Sequence, residues 1–216
     1  MMKSLIRIWR DELGGLIAEV AVVVPIFLVF ALGSVDMLYA FYQWTAATKA
    51  VEVGARLAAV SDPVASGLNT IPTNALSPTV LVGGVMPDFE VTCASATCTC
   101  TRGTCTGFGA YSAAAMNTIV FGRGSALCND ATSYYTAGMC DLFPRITAAN
   151  VRIVYSQTGL GFAGRAAGPV PTITVSLQGL TYQFFFLNSL PGFPTITMPS
   201  FATTITGESL SSGAQS

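Results

Sequence analysis

GGLIAEVAVVVPIFLVFALGSVDMLYAFYQWTAATKAVEVGARLAAV, residues Gly14 to Val60, decides the fold of this 216-residue chain. From Leu13 to Val35 its single formal charge is Glu19. A lone carboxylate in a membrane-grade segment costs about 3 kcal/mol on insertion scales, so its presence demands compensation. Val20 to Val35 is uncharged but slightly short of the ~20 residues that cross a bilayer. Adding Leu13 to Ala18 makes the span long enough and places Glu19 inside the membrane. Pro25 removes one helical hydrogen bond, which a membrane helix tolerates when neighbours re-satisfy the carbonyl. The helical pattern then continues beyond any bilayer. Glu52 and Arg56 stand four apart in the helix-supporting order, Val53 and Leu57 share a face, and Ser61-Asp62-Pro63 stops the helix. Gly15 to Val60 is roughly 70 Å of helix at ~1.5 Å per residue, against a hydrocarbon core of ~30 Å. The excess must pack on its own domain or on other copies of similar helices.

The composition of the whole chain fits an anchored or assembled protein. Charged residues make up 10% and hydrophobic ones 51%, where soluble domains carry about 25% charged residues. Lys3, Arg7 and Arg10 precede the apolar run, against Asp11 and Glu12. That bias keeps the N-terminus cytoplasmic and sends the following domain across the membrane. The net charge of −1 leaves no nucleic-acid footprint. The chain has no His, which removes the commonest general base and the commonest metal ligand.

Residues 63–78 have linker composition, with Pro63, Pro72, Pro78 and Gly67. Thr79 to Val82 and Phe89 to Thr92 are candidate strands, and Ala110 to Val120 is a candidate short helix. Beyond Asn150 the pattern turns to β. Val151, Ile153 and Tyr155 alternate with Arg152, Val154 and Ser156, and Ile173, Val175 and Leu177 alternate with Thr172, Thr174, Ser176 and Gln178. Tyr182 to Leu187 and Phe201 to Thr206 are two further candidate strands. Within the first of these, Phe184-Phe185-Phe186-Leu187 reads as core, with a partner surface as the alternative. Short connections favour an antiparallel sheet. The fold class is therefore α+β: a long N-terminal transmembrane helix, then a mostly antiparallel sheet domain with disulfides.

Six cysteines, Cys93, Cys98, Cys100, Cys105, Cys128 and Cys140, all follow the apolar helix. An even number in a translocated domain reads as structural disulfides in an oxidising compartment. Proximity pairs Cys128 with Cys140, and Cys93 to Gly107 reads as a stapled loop or hairpin. A four-thiolate metal site is the weaker reading, because the central Cys-x-Cys does not fit zinc spacing. Gly159-Leu160-Gly161-Phe162-Ala163-Gly164 matches the dinucleotide fingerprint literally. Pro169 and Pro171 then preclude the required helix, and no acidic residue lies between Asp141 and Glu208. The stretch reads as a flexible hairpin loop. Asp36 reads as a solvated carboxylate at the outer membrane interface. No Walker loop, Gly-x-Ser-x-Gly or carboxylate pair appears in the outer domain, so catalytic residues, metal and cofactors are all expected to be none, and an enzyme is not expected.

The N-terminal stretch resembles the TadE-like family of minor pilins or pseudopilins of the tight-adherence (Flp-type) pilus. The residues that carry the resemblance are Arg7 and Arg10, Gly14-Gly15-Leu16-Ile17-Ala18-Glu19, Val20-Ala21-Val22-Val23-Val24-Pro25 and, near the helix end, Gly54-Ala55-Arg56. The resemblance implies a prepilin-type leader over 1–14, cut by a prepilin peptidase between Gly14 and Gly15. The remaining divisions are a long helix over 15–61, a linker over 62–78, a periplasmic domain over 79–208 and a frayed tail over 209–216. Cutting frees an ammonium at Gly15, and an ammonium and the Glu19 carboxylate offset each other's desolvation in a low-dielectric bundle if they pair well. The implied partners are the prepilin peptidase, the major pilin and other pseudopilins, the inner-membrane assembly platform and the lipid bilayer. The implied place is the bacterial inner membrane, single-pass, with incorporation into an extracellular pilus left open. Three other readings stay open: a plain signal anchor, a secretory signal cut at Ala31-Leu32-Gly33, and a membrane-anchored adhesin-like binding module that no prepilin peptidase processes.

Overall fold

The computed structural model describes residues 12–129, 131, 135–189, 191–207 and 210. Most of the expected leader, 1–11, and the expected tail, apart from Leu210, lie outside the described residues. Helix α1 runs unbroken over Glu12–Ala59, 48 residues with Pro25 inside it. It stops ahead of Pro63, and the Arg123 guanidinium donates to the Val60 carbonyl just past its end. A cation there satisfies an orphan carbonyl and opposes the helix dipole.

The chain divides into two compact units, Met1–Tyr42 with Tyr182–Ile196, and Gln43–Thr181 with Thr197–Ser216. In the first, the side chains of α1 from Ile17 to Val35 are exposed nearly all round and almost wholly apolar. A helix apolar on every side has no aqueous face, so its natural surroundings are lipid or other helices. Residues 182–189 and 191–196 are irregular, and the two stretches meet where the Tyr182 N–H donates to the Ile196 carbonyl at 2.8 Å.

The second unit is built on one antiparallel sheet. Its strands are β1 (Phe89–Ala94), β2 (Thr97–Gly103), β3 (Val151–Ser156), β4 (Thr172–Leu177) and β5 (Phe201–Thr206), in the order β2-β1-β3-β4-β5. The period-two pattern sets its face. Phe89, Val91 and Cys93, then Val151, Ile153 and Tyr155, then Ile173, Val175 and Leu177 are all buried. Burial of each large apolar side chain stabilises the fold by about 1.5–3 kcal/mol. The same core takes in Ala47, Ala50, Val51, Ala55 and Ala58 from α1, and Trp44 of α1 meets Phe201 of β5 edge to face at 4.9 Å. Among the described residues three short helices complete the unit: α2 (Ile71–Asn74), α3 (Ala113–Phe121) and α4 (Met139–Leu142). Ser112 caps α3 by accepting the Ala115 N–H, and Gly122 at φ 93° ends it.

Several expectations need correction. Tyr182 to Leu187 is not a strand but part of the irregular loop, leading into a 3-10 turn at Leu187–Ser189. Its phenylalanines are not core either, since Phe185 and Phe186 are exposed. A run with no polar alternation has no sheet face to hide, and its backbone is claimed elsewhere. Thr79 to Val82 is also no strand: Ser77 and Val80 pair across a tight turn. The linker-like stretch is packed, with Val64, Ala65, Leu68 and Ile71 buried. Glu52 pairs with Lys49 at 2.7 Å rather than with Arg56. The glycine-rich loop from Gly159 to Gly164 joins β3 to β4 and is tied down, with the Ala163 N–H donating to Gly84 and its carbonyl accepting from Gly83.

Candidate functional site

Gly14 and Gly15 lie in the opening turns of α1. A Cβ at Gly15 would meet nothing within 4 Å, so packing does not require that glycine. One turn further on, Glu19 is exposed within the apolar run, and it has no ion pair among the described residues. From Ile17 to Val35 the helix offers Val22, Val23, Phe27 and Phe30 outward. What this surface can do is pack laterally, against lipid or against like helices.

Asp36 departs from its sequence reading. It is not a solvated carboxylate but is fully buried. Its Oδ1 accepts the Phe185 N–H at 2.7 Å, and its Oδ2 accepts those of Phe186 at 2.9 Å and Leu187 at 2.7 Å. Hydrogen bonds to an ionised acceptor are roughly twice as strong as neutral ones. Three successive N–H groups thus replace the water that the carboxylate gives up. The nearby ring of Tyr39 lies 4.7 Å from that of Phe185. Sequence reasoning missed this site because its two halves are 149 residues apart at the nearest bond. The available signal was a second acid beside an apolar run, matched by an aromatic segment closing in the turn-forming Asn188-Ser189.

Toward its C-terminus α1 is shaped for close packing. A Cβ at Gly54 would lie 2.5 Å from the buried Met139 sulfur, so glycine there lets α4 approach. Gln43, almost fully buried, accepts from Arg145 Nη1 at 3.2 Å, and the same nitrogen donates to the Thr181 carbonyl at 2.7 Å. Tyr155 Oη, at the centre of the sheet, accepts the Val64 N–H at 3.0 Å. Burial pushes its hydroxyl pKa well above the ordinary 10.0.

All six cysteines are disulfide-bonded: Cys93–Cys98 staples the β1–β2 hairpin, Cys100–Cys105 ties β2 to the loop after it, and Cys128–Cys140 anchors α4. The Asp141 carboxylate accepts the N–H groups of Asn129 and Gly138, both at 2.7 Å, which ties Asn129 to the start of α4. Among the described residues no cluster of His, Cys, Asp or Glu is arranged to hold a metal ion. An open cleft of about 310 Å³ near the end of α1 is lined chiefly by Val53, Arg56, Leu57, Val60, Arg123 and Tyr135. Those side chains make no nucleophile–base pair.

By length and composition α1 can cross a membrane once, and it is followed by a disulfide-stapled antiparallel sheet. That defines a class: α+β proteins anchored by a single N-terminal helix. Within it, residues 14–56 match the family model described as TadE-like protein. The match is confined to the N-terminal helix, which is similar in sequence to that of TadE-like proteins. No curated protein and no solved structure matches the chain.

Proposed function

We propose that this chain is a minor pilin or pseudopilin that primes or takes part in assembly of a tight-adherence pilus. The observation that carries the reading is the coincidence of the TadE-like match, residues 14–56, with a helix that exposes apolar side chains on all sides around one acid, Glu19. In this reading the N-terminus is cytoplasmic, the sheet domain lies in the periplasm, and the inner membrane holds α1. A prepilin peptidase cuts between Gly14 and Gly15. The freed Gly15 ammonium then pairs with Glu19, in its own chain or in a neighbour, which offsets the cost of both charges in a low-dielectric bundle. The helix packs beside the major pilin and other pseudopilins at the assembly platform, and the work is structural, with no turnover.

N-terminal sequencing of the protein purified from membranes tests this reading. The mature chain is expected to begin at Gly15, and Gly14→Val is expected to retain the leader. A wild-type chain that still starts at Met1, or starts beyond Gly33, would contradict it.

A further inference from the structure

The loop Tyr182–Ile196 has properties that a water-facing loop does not need. No Asp, Glu, Lys or Arg occurs between Arg165 and Glu208. The loop exposes Phe185 by 63%, Phe186 by 41% and Ile196 by 41%, while Met37 and Leu38 of α1, next to Asp36 in sequence, are 56% and 69% exposed. Its aromatic rings support one another, with Phe184 edge to face on Phe193 at 5.6 Å and Phe185 against Tyr39. Its tip would bring three consecutive N–H groups into any apolar surroundings, where an unsatisfied backbone donor costs several kcal/mol. The Asp36 carboxylate takes all three. The protection is mutual, because the loop also covers a charge that sits where the uncharged part of the helix ends.

Position along the helix names the surroundings. Ile17 to Asp36 rises about 28 Å at ~1.5 Å per residue, close to the ~30 Å hydrocarbon core. If the apolar run fills the core, Asp36 falls where hydrocarbon gives way to headgroups. Aromatic side chains concentrate at that level. We propose that loop 182–196 is a membrane-docking element, latched to α1 by Asp36, that seats Phe185 and Phe186 in the phospholipid interface and fixes the depth of the helix. This rests on the reading that α1 crosses the bilayer. Because the loop carries no charge, it binds the interface through apolar contact alone and is indifferent to headgroup charge.

The test is Phe186→Trp in the full chain, reconstituted in phosphatidylcholine vesicles brominated at shallow or at deep acyl positions. Emission from Trp9 and Trp44 is subtracted using the parent protein, and Tyr135→Trp and Phe27→Trp serve as references. The indole introduced at position 186 is expected to be quenched more by shallow than by deep bromines, equally with and without anionic lipid and at low and high salt. The indole at position 135 should be unquenched, and the one at position 27 should be quenched most by deep bromines. Adding Asp36→Ala should abolish the shallow preference at position 186 and speed hydrogen exchange at residues 185–187 at least tenfold. Asp36→Asn, which keeps one acceptor oxygen, should fall between. An unquenched indole at position 186 beside a quenched one at position 27 overturns the docking loop while leaving the span intact. If neither is quenched, the span itself fails and the proposal with it. Quenching at position 186 that appears only on dilution into excess brominated lipid would overturn it in favour of contact with a second copy.

Discussion

The two halves of α1 solve opposite problems with the same backbone. Ile17 to Val35 is built from Val, Phe, Leu and Ile that remain exposed, while Ala47 to Ala59 is rich in alanine and largely buried. Large apolar side chains on every side suit a helix whose solvent is hydrocarbon. Small ones on one face let a helix lie close to a sheet and its loops. Glycine shows the contrast most sharply. A Cβ added at Gly33 meets nothing within 4 Å, and one added at Gly54 meets the Met139 side chain. The acids show it as well, since Glu19 is exposed within the apolar run and Asp36 is buried at the end of it. Hydropathy alone describes both halves as apolar helix; the size of the side chains separates them.

The largest break in this comparison should come from Ala50→Asp. It buries a carboxylate with no partner at a fully closed position and is expected to destabilise the sheet domain by about 3–5 kcal/mol. Denaturant unfolding in detergent, followed by near-ultraviolet circular dichroism, measures the loss. A substitution in the exposed half such as Phe27→Ala should leave that transition within about 0.5 kcal/mol.

Next in size is Tyr155→Phe, which strands the buried Val64 N–H and should cost about 1–3 kcal/mol by the same measurement. The variant also isolates a pH effect. The folded pKa of Tyr155 is raised, so an unfolded chain loses this proton first as pH passes the ordinary 10.0. The stability contributed by the neutral phenol is therefore full below pH 10.0 and falls as pH rises above it. The parent protein should show this alkaline loss, and Tyr155→Phe should lack that part of it.

The smallest effect is a difference of sign. Alanine improves on glycine in a helix by about 0.5–1 kcal/mol. At Gly33, with open space around it, that gain should appear as slower amide exchange near residue 33. At Gly54 it is opposed by overpacking worth about 1–3 kcal/mol, so Gly54→Ala should be destabilising by about 1 kcal/mol net. Equal signs at the two positions would erase the distinction between the halves.

Much of the fold was legible because its signals are local. Period-two alternation marked β3 and β4, and the unbroken apolar run with its Ser61-Asp62-Pro63 stop marked α1. What escaped depends on contacts distant in sequence. Phe184 to Leu187 looked like a buried strand because its composition is apolar, but the N–H groups of Phe185, Phe186 and Leu187 go to Asp36 rather than to a neighbouring strand. Asp36 looked solvated because nothing near it in sequence could cover it. Residues 63–78 looked like a linker because proline and glycine punctuate the stretch, although Leu68 and Ile71 are buried. Of the candidate site, Glu19 was visible as the one charge in its run, and Gly54 was visible only through resemblance until Met139 supplied the reason for it.

One helix serves two solvents, and site-directed spin labelling tests that most directly. All six native cysteines are disulfide-bonded, so a single introduced thiol at Phe27 or at Lys49, both exposed positions, can be labelled in the vesicle-reconstituted protein. The label at 27 should relax readily with oxygen and hardly at all with a water-soluble nickel chelate, and the label at 49 should do the reverse. A label at 27 as accessible to the nickel chelate as the one at 49 would contradict the account.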